Sequence, residues 1–290
     1  MVETKQIESV GVVANVAKEG IPDLVSQVED VFSKNGIATL VEQETAKHAG
    51  RREGTTFELL VERCDIILAL GGDGTILEIV SRLGACGKPI AAINIGRLGF
   101  LTCARSDSLR TIAKALASGE YTLSQRCVLK VVIEGQEQNT HFALNEAALN
   151  RSEISTTITL EARIDGEFFS NYNGDGLILA TPTGSTAYSF SAGGAIVDPA
   201  SNVLLLTPIC PHALANRSMV VPDTSEVEIT PLRDDHQVAL TVDGRFVQEI
   251  PIGVSVTVSK AGFQLPLVML PDQTFFAILR EKLQWQGSNV

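Results

Sequence analysis

Apolar and polar positions alternate between two rhythms along this chain. Residues 10–16 form a short apolar run that predicts a strand, and residues 21–35 follow with Val25, Val28 and Phe32 at helical spacing. Pro22 and Asp23 start that helix and Gly36 stops it. A second strand is predicted over 37–41. Residues 48–56 carry little apolar content and predict a mobile loop. The run 65–70, Asp-Ile-Ile-Leu-Ala-Leu, is bounded by glycine and reads as a buried parallel strand. Beyond it Ile76, Ile79, Val80 and Leu83 share one helical face, Glu78, Ser81 and Arg82 the other, with Gly84 as the stop. Another strand over 89–95 and a helix over 106–117 complete an alternation that predicts a mostly parallel sheet with helices on both faces.

From about Tyr121 the helical rhythm gives way to strand-like segments at 122–133, 141–150, 156–164, 176–181, 203–207, 227–230, 238–242 and 254–258. Asp165-Gly166 and Asp243-Gly244 suit tight hairpin turns. Arg245, just after the second, reads as a ligand contact or a solvated side chain. The chain ends on a predicted helix that Asp272 can cap, with Phe275, Phe276, Leu279 and Leu283 as one apolar stripe. The expected fold class is an α/β N-terminal domain (1–120), a β-rich C-terminal domain (121–270) and a C-terminal helical tail (271–290) packing on the body.

The 290 residues, 44% of them hydrophobic, suffice for two well-buried cores. A formal net charge of -11, with both signs spread along the chain, argues against a duplex nucleic-acid binder, which needs a basic footprint. Phosphorylated small molecules stay open, because amides and metal ions meet their charge locally. Cys64, Cys86, Cys103, Cys127 and Cys210 are odd in number and scattered, and read as reduced core thiols of a cytoplasmic protein. The first residues lack a signal-peptide pattern, and no apolar run reaches membrane-spanning length.

Gly71-Gly72-Asp73-Gly74-Thr75 stands where the buried strand hands over to a helix, a place where free amides and the helix dipole attract phosphate. Asp73 is the odd residue there. It would repel phosphate unless it takes a proton from a reacting hydroxyl or shares a divalent cation. A plain helix cap is the other reading. Three glycines around one acid favour chemistry, since they leave the backbone bare for close approach. Asn94-Ile95-Gly96-Arg97-Leu98-Gly99-Phe100-Leu101 ends the next strand and should border the same crevice; a glycine-rich turn would also explain it, and Phe100 reads as a core residue.

Residues 173–191 interrupt the β-rich pattern. An acid between glycines, Asp175, leads through a strand to Pro-Thr-Gly-Ser-Thr, a sharp turn into a short helix that Ser185 or Thr186 can cap and Gly193-Gly194 can end. Six hydroxyls within eleven residues exceed what capping uses. An uncharged, hydroxyl-rich surface with an acid and the ring of Tyr188 suits a base and its sugar, or is simply a decorated turn. Asn145-Glu146 places two polar neighbours in an apolar strand, able to hold a ribose diol or marking a bulge. There is no P-loop, no Gly-x-Gly-x-x-Gly after the first strand, no nucleophile elbow, and the four histidines match no zinc motif.

On Gly71 to Thr75, Asn145-Glu146 and the passage from Asp175 through Ser-Thr-Ala-Tyr at 185–188, the chain resembles the NAD kinase family. The first motif alone is shared in similar form with lipid kinases and phosphofructokinases; the long third passage is far more specific. The resemblance implies transfer of the γ-phosphoryl group of ATP to the 2'-hydroxyl of the adenosine ribose of NAD, giving NADP. It makes Asp73 the proton acceptor. Gly71, Gly72, Gly74 and Thr75 become the phosphate loop for ATP, and Asp73 and Gly74 also meet NAD. Asn145, Glu146, Asp175, Thr186, Ala187, Tyr188, Ser189, Phe190 and Ser191 become dinucleotide contacts. It further implies a divalent cation, Mg2+ first, with unassigned ligands, and a cytoplasmic homo-oligomer, dimer or tetramer. No contact is carried over to Asn173 or Arg245, where this chain departs from related enzymes. The alternatives are another kinase with this glycine loop, acting on a lipid or sugar hydroxyl, and a dinucleotide-binding sensor without catalysis.

Overall fold

The structure is a computed structural model, and it describes residues 5–96, 99–152, 157–213, 215–232, 237–271 and 273–285. The chain divides into two compact units, Met1–Gln125 with Leu265–Val290, and Arg126–Gln264.

In the first unit the strands Ala38–Val41, Ser9–Ala14, Ile66–Gly71 and Ile90–Asn94 lie side by side in that order, all parallel. Ile66–Gly71 is buried at every position, which is why it reads as an unbroken apolar run. The helix Ile21–Lys34 buries Ile21, Leu24, Val25, Val28 and Phe32, carries proline in its first turn and ends beside Gly36 at φ 76°. The helix Asp73–Leu83 likewise buries Thr75, Ile76, Ile79, Val80 and Leu83.

Two short helices went unforeseen, Gln43–His48 and Phe57–Arg63, capped by the side chains of Glu42 and Thr56. The first reaches into the expected loop at 48–56. With six and seven residues they are too short for a periodic signal, and their caps and packing sustain them instead. The C-terminal helix Phe275–Leu283 is capped by Thr274; Asp272, the expected cap, lies outside the described residues. Its buried residues are Ile278 and Leu279, Phe275 and Leu283 are half-buried and Phe276 is exposed, so the stripe read from the sequence matches the packed face only in part.

The second unit contains a six-stranded antiparallel sheet in the order Met219–Pro222, Val203–Ile209, Gly176–Ala180, Glu146–Arg151, Val238–Val242, Arg245–Ile250. Glu167–Gly174, Ile158–Ile164 and Val227–Pro231 pair antiparallel in a second set. Leu149, Leu179 and Leu240 from the first set and Leu160, Ala162 and Ile229 from the second share one buried cluster. Among the described residues of this unit three strands were not anticipated, Glu167–Gly174, Met219–Pro222 and Arg245–Ile250. The segment 141–150 is two strands, His141–Ala143 and Glu146–Arg151, broken at Leu144-Asn145. The segment 254–258 belongs to a longer strand, Val256–Met269. Residue 156, the expected start of another strand, lies outside the described residues.

Both Asp-Gly pairs form turns with positive φ at each residue, 52° and 80° at Asp165-Gly166, 49° and 72° at Asp243-Gly244, as two-residue hairpins require. All five cysteines are free, but only Cys64, Cys103 and Cys127 are buried. Cys86 and Cys210 are exposed, which corrects the expectation of five core thiols. Among the described residues no helix is long and apolar enough to cross a membrane.

Candidate active site

The glycine loop sits at the carboxyl end of Ile66–Gly71, and Asp73 is the first residue of the helix Asp73–Leu83. Each glycine has its own reason. A Cβ on Gly71 would meet the Thr75 hydroxyl at 2.1 Å, whereas Gly72 and Gly74 have nothing within 4 Å of that position. Gly71 is therefore steric, and the other two leave bare backbone facing open space at a helix N-terminus that no side chain caps. The Thr75 hydroxyl is buried without a hydrogen-bond partner.

Asp73 does not cap its own helix. Its Oδ2 accepts the amide of Phe100 at 2.9 Å and its Oδ1 that of Leu101 at 3.1 Å. The loop after Ile90–Asn94 thus folds onto the carboxylate, and it is tied down further where Gly99 donates its amide to the Thr102 hydroxyl at 3.1 Å. A Cβ on Gly99 would stand 2.0 Å from Asp73 Oδ1. Asn94 is buried at the strand end beside Gly71. Phe100, expected in the core, is only half-buried, with the Lys282 ammonium 5.8 Å from its ring centre. Arg97 and Leu98 lie outside the described residues.

In the second unit the break at Leu144-Asn145 is held from two sides. Thr181 donates its hydroxyl to the Leu144 carbonyl at 2.6 Å and its amide to that of Asn145 at 2.8 Å. Gly184 packs so closely that a Cβ would meet the Asn145 carbonyl oxygen at 2.1 Å. From the other side Asp243 accepts the amides of Leu144, Asn145 and Glu146 at 2.9, 2.8 and 3.1 Å. Glu146 is 5% exposed and its Oε2 has no partner. Burial first, then the Asp243 charge, pushes its carboxyl up to about 7, against the pull of the Tyr188 amide.

Around this pair lie more of the residues read from the sequence. Tyr188 donates its hydroxyl to Asn150 Oδ1 at 3.2 Å, and burial, then the charges of Asp175, Cys210 and Glu146, push its phenol upward. Asp175 is paired with Arg151, with Nε to Oδ1 at 3.0 Å and an Nη2 hydrogen bond to Oδ2 at 3.2 Å. Glu146, Asp175 and Tyr188 thus come together.

The hydroxyls divide differently from expectation. Thr181, Ser185 and Ser189 are buried and spent inside the fold, Ser185 on the Pro182 carbonyl and Ser189 against Thr207 at 2.9 Å. Neither Ser185 nor Thr186 caps the helix Tyr188–Ser191; Thr186 donates to the Thr183 carbonyl at 3.3 Å. Tyr188, Phe190 and Ser191 are exposed, and Thr186 and Ala187 half-buried. Asn173 accepts from the Thr159 hydroxyl at 2.7 Å. Sequence reasoning missed the roles of Gly99, Arg151, Gly184 and the Asp243 side chain. Gly99 and Gly184 stood in passages singled out as turns, and Asp243 in an Asp-Gly pair read by preference as a hairpin; Arg151 carried no signal.

Among the described residues no group of three or more His, Cys, Asp or Glu comes together to hold a metal ion. Among the described residues there is thus no carboxylate cage for the implied cation, and what they offer fits a cation held largely by water and phosphate oxygens.

A glycine loop with one ordered carboxylate in one unit and a polar cluster at Asn145-Glu146 in the other are features a phosphotransferase needs, and comparison with known proteins places the chain in that class. The ATP-NAD kinase N-terminal domain matches residues 10–121 and the ATP-NAD kinase C-terminal domain residues 144–270, so the chain belongs to the ATP-NAD kinase family. It is 34% identical to an NAD kinase of Sulfurimonas denitrificans over 284 residues, 98% of this chain and 99% of the relative. With an NAD kinase of Wolinella succinogenes the identity is 37% over 280 residues, 96% of each. Among solved structures, yeast NADH kinase complexed with NADH aligns with a TM-score of 0.89 at 26% identity, covering 99% of this chain and 90% of that one. An NAD kinase from Archaeoglobus fulgidus in complex with ATP aligns with a TM-score of 0.75 at 28% identity, covering 96% and 100%.

Proposed function

We propose that the protein is an NAD kinase that moves the γ-phosphoryl group of ATP to the 2'-hydroxyl of the adenosine ribose of NAD, giving NADP and ADP. The observation that carries this reading is the Asp73 carboxylate, held by two backbone amides at the mouth of an uncapped helix whose Gly72 and Gly74 face open space. In the step itself the ribose oxygen forms a bond to the γ-phosphorus and the bond from that phosphorus to the bridging oxygen of ADP breaks. The hydroxyl proton passes to Asp73. Each Asp73 oxygen carries one amide hydrogen bond and keeps a further lone pair, so the carboxylate receives the proton without leaving the loop.

Phosphoryl transfer asks a protein mainly for alignment and charge stabilisation. The amides of Gly72 and Gly74 supply the second of these to the phosphates, while the Thr75 amide closes the loop onto the Gly72 carbonyl at 3.0 Å. Asn145, Glu146, Asp175 and residues 186–191 align the dinucleotide. Glu146, with a carboxyl at about 7, is partly protonated at neutral pH and offers a hydroxyl as donor beside an acceptor oxygen, suited to a ribose diol. Ser189, fully buried with its hydroxyl against Thr207 and its carbonyl accepting the Gly194 amide, would act by holding its exposed neighbours Tyr188 and Phe190 in place. A divalent cation, Mg2+ first, would be held mainly by ATP itself and would neutralise charge on the phosphates. The same family reading gives a cytoplasmic homo-oligomer, dimer or tetramer.

Purified protein with ATP, MgCl2 and NAD, assayed by a dehydrogenase specific for NADP, tests the proposal. NADP formation dependent on ATP is expected. Dinucleotide binding without NADP would make the protein a sensor, and phosphorylation of a lipid or sugar in place of NAD would make it another kinase. NADH belongs in the same assay, since the yeast neighbour is a kinase of the reduced dinucleotide.

A further inference from the structure

Asp243 does more than its hairpin needs. The turn Asp243-Gly244 requires two residues that tolerate positive φ, for which asparagine would serve as well as aspartate. Yet the side chain is turned inward, 7% exposed, and a buried carboxylate is costly unless hydrogen bonds meet its charge. Three consecutive amides meet it, Leu144 on Oδ2 at 2.9 Å, and Asn145 and Glu146 on Oδ1 at 2.8 and 3.1 Å. They are available because the strand pattern breaks between His141–Ala143 and Glu146–Arg151. Successive amides in such a bend form a concave anion site, and here the chain supplies its own anion. The Asp243 amide in turn donates to the Glu146 carbonyl at 2.9 Å, closing a ring of bonds around the break.

We infer that Asp243 is a positioning residue: by gathering the amides of Leu144, Asn145 and Glu146 onto one buried carboxylate, it fixes the orientation in which Asn145 and Glu146 receive the dinucleotide. The inference rests on the proposed NAD kinase reading for the identity of that ligand. The geometry at Glu146 supports it, since this side chain is buried with an unpartnered Oε2, a state that survives only if the backbone beneath it is held. Thr181 and Gly184, just past the end of the neighbouring strand Gly176–Ala180, brace the same break, so loss of Asp243 loosens the pair rather than dissolving the sheet.

Asp243→Asn and Asp243→Glu, made in parallel and assayed below their unfolding temperatures, test this. Asparagine keeps the turn but aims an N–H2 at N–H groups; glutamate keeps the charge but displaces it by a methylene. Expected in each is a KM for NAD raised tenfold or more, with kcat and KM for ATP within threefold of the parent, and NAD affinity by calorimetry weakened to match. A kcat that falls at unchanged KM for NAD would mean a smaller folded fraction and overturn the inference. So would KM values for both substrates rising together, an unchanged KM for NAD, or failure of both variants to fold. Were the parent protein to make no NADP, the kinase reading would fall, while the NAD calorimetry would still decide the role of Asp243.

Discussion

Asp73 and Glu146 are carboxylates in opposite situations. The amides of Phe100 and Leu101 hold the first, so its position depends on residues 27 and 28 places away in sequence, and Gly99 is what lets that loop come close. Gly99→Ala forces a Cβ to within 2.0 Å of Asp73 Oδ1, and the carboxylate or the loop must give way. A displacement of about 1 Å at a reacting group is enough to lower a rate on the order of a hundredfold. We expect kcat to fall at least tenfold with the circular dichroism spectrum unchanged; full activity would show the loop to be incidental. Glu146 carries its carboxyl up to about 7 from 4.5 because of burial and Asp243. Its sign is that of a raised acid: between those values the folded state binds more protons than the unfolded one, so stability is lost as pH rises through the window. Glu146→Gln abolishes that contribution. Urea unfolding should show the variant gaining on the parent from pH 4.5 to 7, by up to about 3 kcal/mol, with the difference level above. A difference that does not grow with pH would deny the buried, raised carboxyl.

Among elements, close approaches set the packing. Gly11 in the strand Ser9–Ala14 leaves room for Leu60 of the helix Phe57–Arg63; a Cβ there would stand 1.5 Å from Leu60 Cδ2, a fully buried atom group with little room to move. Gly11→Ala should destabilise the first unit by about 1–3 kcal/mol, the usual cost of overpacking, read from thermal or urea unfolding. A neutral result would mean the helix shifts freely. The elements also show what the sequence could and could not say. Ile76, Ile79, Val80 and Leu83 announce their helix because one continuous face is buried, and residues 65–70 announce their strand because both faces are. Glu167–Gly174 gave no such signal: its first three residues are exposed, Phe168 and Phe169 among them, and its register shifts between Phe168 and Ser170. Asn145-Glu146 was legible as an anomaly in an apolar strand. Its cause was not, because the carboxylate that holds it lies 97 to 99 residues away and leaves no local pattern. The hydroxyls of 181–191 were over-read for a similar reason, since composition does not tell that Ser185 and Ser189 spend theirs inside.

For the whole molecule, a net charge of -11 opposes the approach of an anionic nucleotide. Salt shortens the reach of that repulsion from about 30 Å at 10 mM to about 8 Å at 150 mM. At fixed free magnesium, kcat/KM for ATP should therefore rise with NaCl across that range, by twofold or more. A steady decline, as basic sites give, would mean that local positive charge outweighs the overall field. Family membership spans both units, and within each one polar cluster stands out, ordered by backbone amides rather than by side-chain pairs alone. The proposed reaction divides its labour between them, with chemistry at Asp73 and dinucleotide recognition at Asn145 and Glu146.

Asp73→Asn tests that division most directly, with turnover followed by NADP formation and NAD affinity followed by calorimetry on the same preparation. Removal of a general base typically lowers a rate by about 10²- to 10⁴-fold. The account predicts a loss of kcat in that range with the dissociation constant for NAD within threefold of the parent. Turnover that survives the substitution, or affinity lost in step with turnover, would contradict it.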